Sequence, residues 1–263
     1  VIYADDLARL FGVDAVRFFV LHEMPFDNDG QITWELVCER FNTELANVLG
    51  NLVSRTVAMV DKYFGGSVAR SEIANEQDTD AEFKAVVTGT VNKVIAKADE
   101  LRIADAITEI FTLFRRANKY IDETMPWALA KDEANKARLG TVLYNLLESI
   151  RIISVLLSPF MPETAKAIFA QMNCNLDTYE SIKTFGGLET GASVGTPTPL
   201  FSRIDAEKML EEIHAEIEAK KKAAEKAEAN LVLLPEIAID DFAKVELRAA
   251  TVTACEPVKK AKK

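Results

Sequence analysis

Asn51 and Arg55 lie four residues apart in a long run of helical periodicity, and Trp127 follows Pro126 at the end of another such run. Residues at i and i+4 of a helix share one face, so an amide and a guanidinium stand side by side. Arg carries only donors, in a rigid planar fork, whereas Asn carries both a donor and an acceptor. An aromatic plane delivered beside that pair can stack on a splayed nucleotide base, which contributes about 1–3 kcal/mol per base. Cytosine offers O2 and N3 as acceptors to such a fork, while uracil places an N–H at N3, so the fork matches the first base and not the second. Asn51 can complete recognition at the cytosine N4 or at the ribose-phosphate. Pro126 stiffens the turn at the indole and lowers the entropic cost of presenting it. The same residues also fit a solvated helix face and an ordinary core tryptophan, and the spacing by itself leaves both readings open.

The elements that must position these side chains are helices. Residues 4–11 and 14–23 read as two short ones, with Gly12 ending the first and Asp14 capping the second. A long helix is expected from about Trp34 to Tyr63, burying Leu45, Val48, Leu49, Leu52, Met59 and Val60 and stopping at Gly65-Gly66. Further helices are expected over residues 81–99, 103–121, 133–157 and 162–172, the last with Pro162 at its first position. The broad apolar stripe of the 133–157 segment places it near the centre of a bundle. Residues 173–204 carry Gly, Thr and Pro with little periodicity and read as an irregular surface connector, and residues 206–229 read as a solvated, charged helix. The fold class expected is mainly α, an antiparallel α-helical bundle. Alternation at Val245, Leu247 and Ala249 predicts a β-strand in the tail.

Length and composition fit one to two soluble globular domains, with 49% hydrophobic and 27% charged residues in a chain of 263. No apolar run reads as a membrane span, and the expected location is the cytoplasm. Cys38, Cys174 and Cys255 are scattered and stand apart from His22 and His214, which argues against a cysteine-based metal site and fits a reducing compartment. Neither histidine has a partner motif for ligation or acid–base work. Trp34, at the start of a helix, reads as a packing residue. The formal charge of −10 disfavours strong nonspecific binding to nucleic acid, so any nucleic-acid site must rest on local cations.

Three stretches carry a family resemblance. Arg40-Phe41-Asn42-Thr43-Glu44-Leu45-Ala46-Asn47 with Asn51-Leu52-Val53-Ser54-Arg55-Thr56 resembles the first anticodon-domain helix of the methionyl-tRNA synthetases. Tyr120-Ile121-Asp122-Glu123-Thr124-Met125-Pro126-Trp127 is similar to that family's tryptophan turn, and Leu21-His22-Glu23-Met24-Pro25-Phe26-Asp27-Asn28-Asp29-Gly30 resembles its approach to the same domain. Phe11-Gly12-Val13-Asp14-Ala15-Val16-Arg17 resembles a segment shared by class I synthetases, one that follows their Lys-Met-Ser-Lys-Ser loop. Pro199 to Asp205 resembles the family's closing segment, and Ile237 to Arg248 the opening of an appended tRNA-binding OB-fold.

The resemblance implies that Asn51, Arg55 and Trp127, supported by Pro126, read the first base of a CAU anticodon, with Asn47 a weaker candidate for the anticodon backbone. Asp122 and Glu123 stand where they would order the tryptophan turn. It implies boundaries at residues 1–30 for the end of a catalytic and stem-contact region and 31–178 for the α-helical anticodon-binding domain. A connector packing on the body would occupy 179–205, a charged linker helix 206–229, and the truncated start of the OB-fold 230–263. The partner implied is methionine-specific tRNA, with no membrane. The parent enzyme would ligate methionine to that tRNA with ATP and Mg, hold a structural zinc in its catalytic part and dimerise through the OB-fold. This chain, expected to be a monomeric internal cut, shows no nucleotide-binding motif, zinc knuckle or Gly-rich phosphate loop and is expected to lack catalysis and cofactors. A free-standing tRNA-binding factor and a helical scaffold without an RNA role are the alternatives.

Overall fold

The structure is a computed structural model that describes residues 2–25, 28–69, 72–191, 193–229, 238–246 and 248–251. Residues 1–212 form one compact unit and residues 213–263 a second. The first is built from helices α1 (Ala4–Phe11), α2 (Val13–Glu23), α3 (Trp34–Arg40), α4 (Asn51–Phe64), α5 (Asp78–Asp99), α6 (Ile103–Thr124), α7 (Pro126–Leu129), α8 (Lys136–Leu157) and α9 (Pro162–Gln171). α10 (Ala206–Ala229) begins in it.

α8 is the core. Its apolar positions from Leu139 to Leu157 are almost all inaccessible, and α5, α6, α4 and α9 pack around it. The helical stretch Glu133–Leu157 is long and apolar enough to cross a bilayer, but its apolar window is entirely buried inside the bundle. α5 and α6 are joined by a short turn and pack along each other, as a helical hairpin requires. Phe83 of α5 stacks on Tyr120 of α6 with ring centroids 4.2 Å apart.

The expected helix from Trp34 to Tyr63 is not α throughout. Between α3 and α4 the backbone from Phe41 to Gly50 is a π-helix, its i→i+5 bonding continuing into the Asn51 N–H, which reaches the Ala46 carbonyl. Hydrophobic periodicity over ten residues does not separate the two windings, because Leu45 and Leu49 are buried in either. Close packing accompanies this segment. The Asn42 amide clamps the Ile204 backbone, donating to its carbonyl and accepting from its N–H, both at 2.9 Å. Phe41 meets Phe201 edge-on at 5.7 Å. Gly50 lies under the Phe201 backbone, where a side chain would stand 3.4 Å from the carbonyl oxygen. The segment ending at Asp205 thereby lies against the π-helix that leads into α4 and Asn51.

Asp14 does not cap α2 as its position suggests. α2 starts at Val13 after Gly12, and the Asp14 carboxylate instead accepts the Thr164 N–H at 2.6 Å, satisfying a first-turn donor of α9. Arg17, one turn on, donates to the Pro159 and Phe160 carbonyls at 2.8 Å each. The partner of Asp14 lies 150 residues away, so a local signature cannot reveal it.

The connector between α9 and α10 is held by a buried ion pair. Arg151 donates from Nε and Nη2 to the two Glu148 oxygens, each at 2.8 Å, and both side chains are fully inaccessible. The same carboxylate accepts the N–H groups of Gly186, Gly187 and Leu188 at 2.9, 2.8 and 3.0 Å. Arg151 also donates to the Leu176 and Ser181 carbonyls at 3.1 and 3.0 Å.

The second unit holds the remainder of α10, with a Lys220–Glu216 pair at 3.1 Å along the helix, and the single turn α11 (Ile239–Phe242). The strand expected at Val245–Ala249 is absent among the described residues, and Val245 is exposed. A lone strand without neighbours lacks the ladder and the buried face that stabilise it. Leu247, residues 230–237 and the terminal stretch with Cys255 and Lys259 to Lys263 lie outside the described residues.

Candidate nucleic-acid interface

The indole of Trp127 owes its position to a sharp corner. α6 ends at Thr124, and Met125 adopts the left-handed conformation (φ 44°, ψ 63°) with its N–H on the Ile121 carbonyl. Pro126 then opens α7 at its first position, where its fixed φ suits a helix start and its missing N–H costs nothing. Pro126 is buried while Trp127, next in line, is 42% exposed.

Beneath the corner lies a buried polar network. Tyr120 donates to Asp80 in a short hydrogen bond, and Arg138 grips the same carboxylate with both Nη atoms at 2.7 and 3.0 Å. Asn145 donates to the Tyr120 hydroxyl at 3.2 Å, and Asp80 closes a capping box with Gln77 at the head of α5. Burial, reinforced by the Asp80 carboxylate, pushes the Tyr120 hydroxyl far above the ordinary phenol range, so it remains a donor at any physiological pH. The network ties the end of α6 to the beginnings of α5 and α8, and so fixes the base of the tryptophan turn. Sequence inspection missed it; a Tyr, an Asp and an Arg on three separate helices leave no local signal.

Arg55 reaches this corner from α4. Its guanidinium carbon lies 5.8 Å from the centroid of the Trp127 ring, within cation–π range. Its Nη2 stands 4.0 Å from Asp122, and the Arg55 side chain is 35% exposed. Asn51 is exposed one turn before Arg55 on the same α-helix. Arg55, Trp127 and the buried support Pro126 therefore converge at one surface, and Asn51 lies on the helix leading to it. Asn47 is also exposed, but it belongs to the π-helix, which turns less per residue, so it is rotated from where an α-helix would place it. Trp34 is buried, in keeping with a packing residue. Glu123 is held by Arg116 and Lys119 at 3.0 and 3.5 Å. His22 contacts Glu23 and Thr108 at 2.7 and 3.1 Å.

Away from the indole, the contact of α6 with α4 continues onto the preceding π-helix as a polar seam. Asn118 donates to the Val48 carbonyl at 3.0 Å, and Arg115 donates from Nη2 to both oxygens of Glu44 at 2.5 and 2.6 Å. Asp122, Asn118 and Arg115 succeed one another along α6 opposite Arg55, Val48 and Glu44. No three His, Cys, Asp or Glu side chains among the described residues are grouped to hold a metal ion. The surface carries nitrogen donors, one aromatic face, and the carboxylates of Asp122 and Glu44.

Comparison with known proteins places this surface in context. Residues 71–222 match the model of the anticodon binding domain of methionyl tRNA ligase, and residues 1–57 match that of the class I tRNA synthetases (M). The chain is 49% identical to the methionine–tRNA ligase of Clostridium perfringens over 257 residues, 98% of this chain and 40% of that protein. It is 41% identical to the corresponding ligase of Listeria monocytogenes, covering 96% of this chain and 39% of the relative. The crystal structure of free Mycobacterium tuberculosis methionyl-tRNA synthetase superposes with a TM-score of 0.72 at 35% identity, over 78% of this chain and 41% of that one. The chain thus spans about 40% of the length of the curated relatives it matches.

Proposed function

The chain belongs to the methionyl-tRNA synthetase family and carries its anticodon-binding domain, and on that premise we propose that the α4–α7 corner reads the first base of a CAU anticodon in methionine-specific tRNA. The observation that carries the assignment is the approach of Arg55 to a half-exposed indole at 5.8 Å, with Asn51 one turn away. The base stacks on Trp127, the Arg55 fork donates to cytosine O2 and N3, and Asn51 meets the exocyclic amine or the ribose-phosphate. Pro126 and the left-handed Met125 hold the ring in place. Asn47 reaches the anticodon backbone. A helical scaffold without an RNA role gives no reason for Arg55 and Trp127 to meet at the surface.

In the longer protein, this region identifies the tRNA and the preceding part ligates methionine to it in the cytoplasm, using ATP and Mg. No step of that ligation is assigned to residues here, and a structural zinc would belong to the preceding part. Dimerisation of the longer protein belongs to the OB-fold, and this chain by itself is a monomer. The test is binding of CAU and UAU stem-loops to the chain and to Arg55→Ala. The parent should prefer CAU, and the variant should lose about 1–3 kcal/mol of that preference, the usual size of a bidentate base contact. Equal discrimination by both proteins, with Arg55→Ala folded, would remove Arg55 from base reading.

A further inference from the structure

Asn51, Arg55 and Trp127 can choose a base, but a chain of formal charge −10 still needs cations where the strand's phosphates run. We propose that Arg115 is a phosphate contact for the strand that carries the anticodon, lying further along α6 where it meets the π-helix; this rests on the anticodon assignment for Arg55 and Trp127. Arg115 and Asp122 are seven residues apart on α6, hence on one face and about 10 Å apart along the axis. Asp122 stands 4.0 Å from Arg55, so Arg115 continues the line that begins at the base-reading corner.

The pairing of Arg115 suits the role. The Glu44 side chain is 12% exposed and the Arg115 side chain 48%, so the carboxylate lies beneath and the guanidinium faces out. Both Glu44 oxygens accept from the same nitrogen, Nη2, and Nε and Nη1 make no other hydrogen bond among the described residues. The carboxylate fixes the guanidinium through Nη2 while the Nε and Nη1 donors remain for an anion, so little side-chain entropy is lost on contact. The neighbouring cations Arg116 and Lys119 are both engaged by Glu123.

The experiment measures binding of CAU and UAU stem-loops to the whole chain across a salt series, for the parent, Arg115→Gln and Arg115→Lys. A further variant, Glu44→Gln with Arg115→Gln, avoids stranding a buried carboxylate should the single change impair folding. Both glutamine variants should bind each loop about tenfold more weakly, the scale of one charged hydrogen bond, with the CAU:UAU ratio unchanged. The slope of log K against log salt should become shallower by about 0.7, the value for one phosphate on a single strand. Arg115→Lys should retain the parental slope. A parental slope in the glutamine variants would overturn the proposal and leave Arg115 a structural tie to Glu44. If Arg55→Ala keeps the CAU preference while Arg115→Gln loses slope, Arg55 is removed from base reading and Arg115 is a phosphate contact for a strand that Arg55 does not read. A parent that binds neither loop overturns both.

Discussion

Replacing Glu148 by Gln should destabilise the bundle more than its conservative shape suggests. The carboxylate accepts five hydrogen bonds, two from Arg151 and three from the backbone of Gly186, Gly187 and Leu188. An amide has one oxygen, so its NH2 end must face either the donors now at Oε1 or those at Oε2. Placed at Oε2, it confronts Arg151 Nε and the Leu188 N–H, so at least two donors lose their acceptor. The fully inaccessible Arg151 would also keep its charge without a counterion, and breaking such a pair costs about 3–5 kcal/mol. At about 2–4 °C per kcal/mol for a domain of this size, the melting temperature should fall by roughly 6–20 °C. Circular dichroism melts measure it, and amide exchange should quicken first at residues 186–188. A double change, Glu148→Leu with Arg151→Met, removes both charges and should recover part of the loss. Recovery should stop short, because the three backbone donors still lack an acceptor, at a cost of about 1–3 kcal/mol for each that stays buried and unpaired. A fall below about 3 °C for Glu148→Gln would refute the reasoning, and full recovery in the double variant would refute the anchoring role of the carboxylate.

Three further outcomes are expected. Trp127→Ala should weaken binding of a CAU stem-loop by about 1–3 kcal/mol, read by fluorescence anisotropy, while leaving the melt nearly unchanged because the ring is already 42% exposed. Asn42→Ala should cost about 1–3 kcal/mol through its two hydrogen bonds to Ile204, with faster exchange of the Ile204 amide and little else. Tyr120 has a folded-state pKa raised above its unfolded value, so its contribution is complete below about pH 10 and declines as pH rises above it. Urea midpoints at pH 8 and 11 should therefore differ more for the parent than for Tyr120→Phe, and equal differences would sink this prediction.

The helices were legible because their apolar stripes bury one face each, as at Ile107, Ile110 and Phe114 of α6. The convergence of Arg55 and Trp127 was legible only through the family resemblance; spacing places Asn51 and Arg55 on one face but is silent about a partner seventy residues on. The Asp80–Tyr120–Arg138 network and the Glu148 anchor were not legible, since their partners meet through the packing of distant segments. Glu148 and Arg151 do leave a trace, as opposite charges three apart in an otherwise apolar helix. Arg115 left none, because a basic residue on an amphipathic helix looks like any other solvated charge.

The π-helix between Phe41 and Gly50 has a consequence for how this region tolerates insertions and deletions. A helix is a screw, and its pitch converts residue number into angle. α3 buries Trp34, Val37 and Cys38 upstream, and α4 buries Leu52, Val53 and Val57 downstream. The wider winding between them sets the rotational phase at which Asn51 and Arg55 emerge. Removing a residue from this stretch would leave every side chain of the site intact yet turn them about the axis, because each α-helical residue contributes about 100°. Residue count from Phe41 to Gly50 is thus as much a part of the recognition surface as any side chain on it, and a single-residue deletion there should abolish CAU preference in a chain that still reads as helical by circular dichroism.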